Sequence, residues 1–177
     1  MPPINPSAAT LVVIDLQARL IPAIQDGPGV VANTRRLLTA AGLLGVPAVY
    51  TEQNPRGLGA TVPDLAPDPA AVIAKMTFDA TRAPGLLERL PPDHAVVLAG
   101  CETHVCVLQT ALGLLDRGRR VHVVADAVGS RTHDNKAAGL RRMERHGADI
   151  ITTEMALFEW LGTADHPRFR EVVALIK

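Results

Sequence analysis

Six short runs of apolar residues, rich in Val and Ile, recur along the chain. They fall at 10–14, 46–50, 71–74, 95–99, 121–125 and 149–152. Most of these runs are not interrupted by polar residues, which is typical of strands that helices cover on both faces. The runs therefore predict a six-stranded sheet that is mostly parallel.

Segments with a helical spacing of apolar residues lie between these runs. They fall at 29–44, 84–90, 103–117 and 134–146. Strands that alternate with helices through right-handed crossovers form a doubly wound α/β fold, which is a three-layer α/β/α sandwich. Because the chain has 177 residues and no repeat or linker divides it, we expect a single domain over residues 1–177.

Two segments depart from this alternation. Residues 51–70 are rich in proline and glycine and predict a long surface loop at the carboxyl end of the second strand, where α/β proteins bind ligands. Short helices are predicted at 154–161 and 168–176. The first helix is unusually apolar, with Met155, Leu157, Phe158, Trp160 and Leu161. We expect a homo-oligomer with Trp160 near the interface, the alternative being that this helix only covers the sheet of its own subunit.

The charge balance argues against several classes of partner. The chain has 18 Lys and Arg against 18 Asp and Glu, so nucleic acid and membrane surfaces are not expected partners. The longest uncharged stretch, Leu37–Thr51, has 15 residues and contains Pro47, which is short of the ~18 that a membrane span needs. The first ten residues lack the pattern of a secretory signal. We expect a cytoplasmic protein that acts on a small molecule.

Three polar residues stand where strands of the predicted sheet end. Asp15 follows the first strand, Lys75 follows the third, and Cys106 begins the helix after the fourth. The chain has no dinucleotide fingerprint, no P-loop, no zincin motif and no serine-hydrolase elbow. Since the carboxyl ends of parallel strands meet at one edge, we expect the three side chains to converge in one crevice.

Each of the three residues also has a purely structural interpretation. A thiol in the first turn of a helix is favoured as thiolate by the helix dipole, but Cys106 could equally be a buried core cysteine. Asp15 could cap the following helix, or it could pair with Lys75, because each charge needs a partner on leaving an apolar strand. Cys101 is expected to be structural. His104 lies two residues before Cys106, so on a helix the two side chains point apart, and we do not expect His104 to act as its base.

Four motifs resemble the isochorismatase-like cysteine hydrolase superfamily. They are LVVIDLQ at 11–17, Lys75 with Phe78 in AKMTFDA, GCETHVCVLQTA at 100–111 and VVADAVGSR at 123–131. The sequences of the segment TEQNPRGLG and of the C-terminal helices resemble those of the subgroup of isochorismatase domain-containing proteins. The resemblance extends over nearly the whole chain.

The resemblance implies roles for particular residues. It implies a catalytic triad of Asp15, Lys75 and Cys106, and a non-proline cis peptide between Cys101 and Glu102. The N–H groups of Glu102 and Cys106 would form an oxyanion hole. The candidates for the substrate pocket are Gln17, Phe78 and Thr103.

Two departures from the superfamily limit what can be transferred. Nicotinamidases hold a metal through Asp and His residues after the second strand, where this chain offers only Glu52, so we expect no metal and no other cofactor. The isochorismatases proper lack the cysteine. We therefore expect a hydrolase of an amide or related C–N bond that acts through a thioester on Cys106. The alternatives are hydrolysis of an ether or ester, and a non-catalytic or redox-sensing oligomeric protein on the same fold.

Overall fold

The computed structural model describes residues 1–177. Its strands are β1 (Ala9–Ile14), β2 (Ala48–Gln53), β3 (Val72–Lys75), β4 (Ala95–Cys101), β5 (Val121–Gly129) and β6 (Asp149–Ile151). They form one sheet in the order β3-β2-β1-β4-β5-β6, and every neighbouring pair is parallel. The predicted α/β class with a doubly wound, six-stranded sheet is confirmed, and the sheet is entirely parallel.

Helices cover both faces of this sheet. They are α1 (Gly27–Leu44), α2 (Pro55–Leu58), α3 (Leu108–Leu115), α4 (His133–Arg145), α5 (Thr153–Leu161) and α6 (Phe169–Val173). One apolar cluster joins the sheet to α1, α5 and α6, and the other joins it to α3 and α4. No helix of the structure has both the length and the apolar character that crossing a bilayer requires.

The central strand β1 shows why its sequence is continuously apolar. Leu11 and Val13 belong to the cluster under α1, whereas Val12 and Ile14 belong to the cluster under α3. Every residue of β1 is buried, because helices cover both of its faces.

The helix predicted at 84–90 is wrong. The connection from β3 to β4 contains only two short 3₁₀ turns, Ala80–Arg82 and Leu87–Arg89. Gly85 adopts a positive φ of 91°, and Leu90 precedes Pro91, a position that disfavours the α conformation. The apolar residues of this connection still pack on the sheet beside α3, so a buried face does not by itself require an α-helix.

Both boundaries of the second strand also differ from the expectation. Strand β2 begins at Ala48, after Pro47, and continues three residues beyond the predicted end to Gln53. The predicted loop at 51–70 therefore starts as a strand, and it contains α2 and two 3₁₀ turns. Glu52 Oε1 accepts hydrogen bonds from the N–H and the hydroxyl of Thr61, at 2.7 and 2.9 Å, which holds this segment against the end of β2.

For Trp160 the structure favours the alternative, in which this helix covers the sheet of its own subunit. Trp160 is only 1% exposed and belongs to the apolar cluster under α1. Helix α5 directs Ala156, Leu157, Trp160 and Leu161 inward, and it leaves Met155 and Phe158 on the surface. Most of the apolar side chains of this helix therefore cover the sheet of their own subunit.

Replacing Trp160 by alanine is expected to lower the free energy of unfolding by about 3–5 kcal/mol, because it leaves a large cavity in a closed core. Denaturant titration measures this loss, and sedimentation of the folded variant is expected to be unchanged. The matched control is Phe158→Ala on the exposed side of the same helix, which should cost much less. A Trp160→Ala variant of normal stability that dissociates would contradict the burial seen here.

Candidate active site

The sheet order reverses between β1 and β4, and this is where open α/β sheets bind ligands. Asp15 directly follows β1, and Glu102 directly follows β4. The two strands approach each other closely here, since a Cβ on Gly100 would overlap the carbonyl oxygen of Ile14. Gly100 also has a φ of 121°, which L side chains rarely adopt. This position in β4 therefore requires glycine.

Asp15 and Lys75 form an ion pair in the interior. Lys75 Nζ lies 2.7 Å from Asp15 Oδ2, and neither side chain is exposed. The other carboxylate oxygen accepts a hydrogen bond of 2.7 Å from the Thr51 hydroxyl, and Lys75 Nζ also donates to Gln53 Oε1 at 2.8 Å. A buried pair needs such additional hydrogen bonds to offset its desolvation. The sequence prediction that the two residues supply each other's counter-charge is confirmed.

Gln17 holds the backbone of Gln53, the residue that accepts a hydrogen bond from Lys75. The Gln53 backbone N–H donates to Gln17 Oε1 at 2.8 Å, and Gln17 Nε2 donates to the Gln53 carbonyl at 3.0 Å. Gln17 Nε2 also donates to the Gly59 carbonyl, at 2.6 Å. The Gln17 amide thus makes hydrogen bonds with the backbone of β2 and of the segment after it. Gln17 therefore holds these two segments together.

Cys106 stands on an irregular turn before α3. Residues Thr103–Val107 form one π-helical turn, in which the Glu102 carbonyl accepts from the N–H groups of Val105 and Val107. Single π turns of this kind occur frequently at functional sites. The turn places Cys106 at the carboxyl edge of the sheet, where it is 6% exposed.

Burial raises the pKa of the Cys106 thiol to about 12. The negative charge of Asp15 raises this pKa further, and the positive charge of Lys75 lowers it. These effects act against the thiolate that a helix terminus favours. In the resting site Cys106 is a thiol beside a carboxylate that can accept its proton.

The second cysteine, Cys101, is the last residue of β4, just before the turn that carries Cys106. The peptide bond between Cys101 and Glu102 is cis. Cys101 is fully buried, and burial raises the pKa of its thiol. Burial of its thiol favours an inert, structural Cys101.

The segment after β5 contacts this turn at two places. Glu102 Oε2 accepts hydrogen bonds from the backbone N–H of Arg131 at 3.0 Å and from Arg131 Nε at 3.1 Å. His104 Nδ1 lies 3.0 Å from the Ser130 hydroxyl. His104 is therefore engaged away from Cys106, as the spacing in the sequence suggested.

A small cavity of about 110 Å³ opens at Cys106. It is lined by Asp15, Leu20, Gln53, Leu58, Phe78, Glu102, Val105 and Cys106. Two wider surface grooves, of about 350 and 460 Å³, meet at Thr77 and Arg82, but neither is lined by Asp15 or Cys106. Of these three openings, only the small cavity is lined by both Asp15 and Cys106.

The structure separates the three pocket candidates that the sequence suggested. Phe78 lines the cavity and is 51% exposed, so it stands at the entrance. Gln17 and Thr103 are fully buried and do not line the cavity. The Thr103 hydroxyl makes no hydrogen bond, and nothing in the structure explains this.

Sequence reasoning missed Thr51 and Gln53, which hold Asp15 and Lys75. A signal for them existed, because they are alternate residues at the end of β2 and side chains two apart share one face of a strand. It missed also the apolar wall of the cavity, formed by Leu20, Leu58 and Val105. These three come from separate segments, and no local pattern connects them.

No group of three or more His, Cys, Asp and Glu side chains is placed to hold a metal ion. Glu52, the residue that the comparison with nicotinamidases singled out, directs one carboxylate oxygen at Thr61. That the reaction uses neither metal nor cofactor stays a prediction.

Comparison with known proteins places the chain in a family. Residues 9–155 match the family described as Isochorismatase domain. The chain belongs to the isochorismatase family. It is 39% identical over 171 residues to isochorismatase domain-containing protein 2 of Xenopus laevis, which covers 96% of this chain and 83% of that protein. Isochorismatase domain-containing protein 1 of Danio rerio is 38% identical, and the match covers 98% of this chain and 62% of that protein. The resemblance predicted from the motifs is confirmed.

Solved structures agree with this membership. The MAR1 ribonuclease of Caenorhabditis elegans superposes with a TM-score of 0.93 at 40% identity, covering 98% of this chain and 92% of that chain. An isochorismatase from Pseudomonas putida superposes with a TM-score of 0.77 at 25% identity, covering 87% of this chain and 92% of that chain. Family and fold together support a hydrolase.

Proposed function

We propose that the protein hydrolyses an amide or related C–N bond of a small molecule, with Cys106 as nucleophile. The observation that carries the proposal is that Asp15 and Cys106 lie in the wall of one cavity, with Lys75 paired to Asp15 behind that wall. Charges from both residues act on the thiol. A thiol beside a general base and a fixed cation is the arrangement that covalent catalysis requires.

The first step forms a tetrahedral adduct on Cys106. As the Cys106 sulfur attacks the substrate carbonyl carbon, Asp15 takes the thiol proton, and the cation of Lys75 stabilises the negative charge on sulfur. The oxyanion then accepts hydrogen bonds from the N–H groups of Glu102 and Cys106. The N–H of Glu102 makes no hydrogen bond within the chain, and an oxyanion donor is typically worth about 3–4 kcal/mol.

The second step releases the products. Asp15 gives its proton to the nitrogen of the leaving group, and the C–N bond breaks. Asp15 then removes a proton from water, which attacks the thioester carbonyl, and the sulfur leaves and regains a proton. The products are a carboxylic acid and ammonia or an amine, and the enzyme returns to its starting state.

The test of this proposal is a panel of small amides with two measurements. Ammonia release reports turnover, and mass spectrometry of rapidly quenched samples reports an acyl group on the Cys106 peptide. We expect both with at least one amide. Turnover of esters or enol ethers without ammonia release would favour the ether or ester hydrolase, and neither turnover nor acylation would favour the non-catalytic alternative.

A second candidate function is cleavage of RNA, which rests on the description of the similar C. elegans protein as a ribonuclease. Phosphate backbones are bound by clustered positive charge, whereas this chain is neutral overall. Lys75 and Arg131 are each paired with a carboxylate. RNA is incubated with the wild type and with Cys106→Ala to distinguish the two functions. We expect the same amount of intact RNA with both proteins.

Arg131 is expected to act as a positioning residue, because it holds the Glu102 side chain on the turn that provides the oxyanion hole. Arg131→Ala should lower acylation of Cys106 by p-nitrophenyl acetate at least tenfold, since that attack creates an oxyanion. Alkylation of Cys106 by iodoacetamide creates none and should change less than threefold.

The matched control is Arg168→Ala, which removes another Arg–Glu pair of 3.1 Å, in this case to Glu171 on the surface. It should change neither rate. Equal loss of acylation and alkylation in Arg131→Ala would indicate general distortion of the site and contradict the positioning role.

Homo-oligomeric assembly also stands as a proposal. Its support is the exposure of Met155 and Phe158, at 45% and 43%, on one side of α5, because exposed apolar pairs are typical of subunit contacts. A structural neighbour, YcaC of Escherichia coli, is described as an octameric hydrolase, although at 24% identity that likeness carries only the fold.

Phe158→Asp is expected to shift sedimentation of the protein towards the monomer with little change in stability, because it places a charge in the proposed contact. Phe158→Leu is the control and should keep the assembly. A wild-type protein that sediments as a monomer at tens of micromolar would refute the proposal.

A cytoplasmic location is proposed as well. Both cysteines are free, and reducing compartments keep thiols in this state.

A further inference from the structure

The cavity at Cys106 has a mostly apolar wall. Leu20, Leu58, Phe78 and Val105 provide its side-chain carbon surface, and Asp15, Gln53 and Glu102 provide the polar lining. Such a wall stabilises an apolar ligand and offers a charged one little solvation.

The polar groups of this lining already have partners. Asp15 is paired with Lys75 at 2.7 Å, and Glu102 is paired with Arg131 at 3.1 Å. Gln53 directs its amide oxygen at Lys75 and its amide nitrogen at the carbonyl of Met76. The cavity therefore has no unpaired cation and no free side-chain amide with which to bind an anionic substituent.

The cavity is also small. An apolar protein cavity of about 150 Å³ binds one benzene molecule, whereas this cavity measures about 110 Å³. A group smaller than a benzene ring therefore fits this cavity. That is the size of a short-chain acyl group.

We infer that the substrate of this site is a neutral, short-chain aliphatic primary amide. The inference rests on the proposed function and narrows it. Cys106 and the amide give a thioester and ammonia, and water then converts the thioester to a short carboxylic acid and the free thiol. A substrate that carries its own carboxylate beside the reacting carbonyl is excluded, because it would place an unpaired anion next to Asp15 and Glu102.

Isobutyramide and oxamate test this inference directly. They have the same number of non-hydrogen atoms and the same branching, but oxamate has a carboxylate where isobutyramide has an isopropyl group. We expect kcat/KM for isobutyramide, measured by ammonia release, to exceed that for oxamate at least 100-fold. We also expect it to exceed kcat/KM for benzamide, whose acyl group is too large for the cavity.

Adding a cation to the cavity wall is expected to shift the substrate preference towards an anionic amide. Leu58 is half-buried on α2 and lines the cavity, so Leu58→Arg adds a cation there. It should raise kcat/KM for oxamate at least tenfold and lower that for isobutyramide. Leu58→Met is the matched control, and it should keep the preference of the wild type.

Protection of Cys106 from iodoacetamide separates failure of this inference from failure of the proposed function. If isobutyramide protects Cys106, oxamate does not, and neither is hydrolysed, the ligand class stands and the proposed reaction is wrong. If oxamate protects or reacts as well as isobutyramide, or if neither amide protects or reacts, the inference is overturned.

Discussion

Replacing Cys106 by alanine is expected to abolish hydrolysis of the best small amide, with a loss of about 10³–10⁶-fold in kcat, as for nucleophiles of other hydrolases. The physical reason is that no other group in the cavity can form the covalent intermediate. Lys75 is tied to Asp15 and Gln53, and Cys101 is fully buried. The measurement is initial rates of ammonia release, together with the melting temperature of each variant.

Cys101→Ala is the matched control for this variant. It removes a thiol five residues away, at the end of β4, and should keep most of the activity, since the Cys101 side chain does not line the cavity. Equal losses in the two variants would contradict the assignment of Cys106 as nucleophile.

Asp15→Asn is expected to move two rates in opposite directions. Hydrolysis should fall at least a thousandfold, because no base remains to take the thiol proton or to protonate the leaving nitrogen. Alkylation of Cys106 by iodoacetamide at pH 8 should become faster. The charge of Asp15 is, after burial, the largest cause that raises the pKa of Cys106 to about 12, and without it this pKa falls.

The sign of the pH dependence follows from the same pKa. Below a pKa of about 12 the thiolate is the minor form. The wild-type alkylation rate should therefore rise about tenfold for each pH unit between pH 8 and 10, with no plateau near neutrality. In Asp15→Asn the whole profile should shift to lower pH.

Stability and a remote carboxylate provide the controls. Asp15→Asn leaves the buried Lys75 without its anion, which typically costs about 3–5 kcal/mol, so both rates are compared at temperatures where denaturation curves show the variant folded. Asp126→Asn changes a carboxylate that binds Thr153 in another part of the sheet, and it should leave both rates unchanged. Slower alkylation in Asp15→Asn would show that Asp15 is not the group acting on the thiol.

Much of the candidate site was predictable because it lies where strands end. Asp15 and Lys75 each interrupt an apolar run, and the position of a strand end at the sheet edge is set by parallel topology. Local patterns did not reveal Gln53 or Leu58, which reach the cavity from a segment that looked like an irregular loop.

The sequence by itself determined the parts of this protein that depend on local periodicity. Uninterrupted apolar runs such as Leu11–Ile14 require cover on both faces. The parallel sheet and the alternation of strands and helices along the chain follow from them. The sequence motifs around Asp15, Lys75 and Cys106 resemble those of the isochorismatase family, and the family match over residues 9–155 confirms this resemblance.

Tertiary structure decided everything that depends on burial. Trp160 and Phe158 are both aromatic residues on one short helix, yet the fold leaves the first 1% and the second 43% exposed. Desolvation and the Asp15 carboxylate raise the pKa of the Cys106 thiol, and both effects come from residues distant in sequence. Desolvation is a sum over neighbours in space, and a linear pattern does not contain that sum.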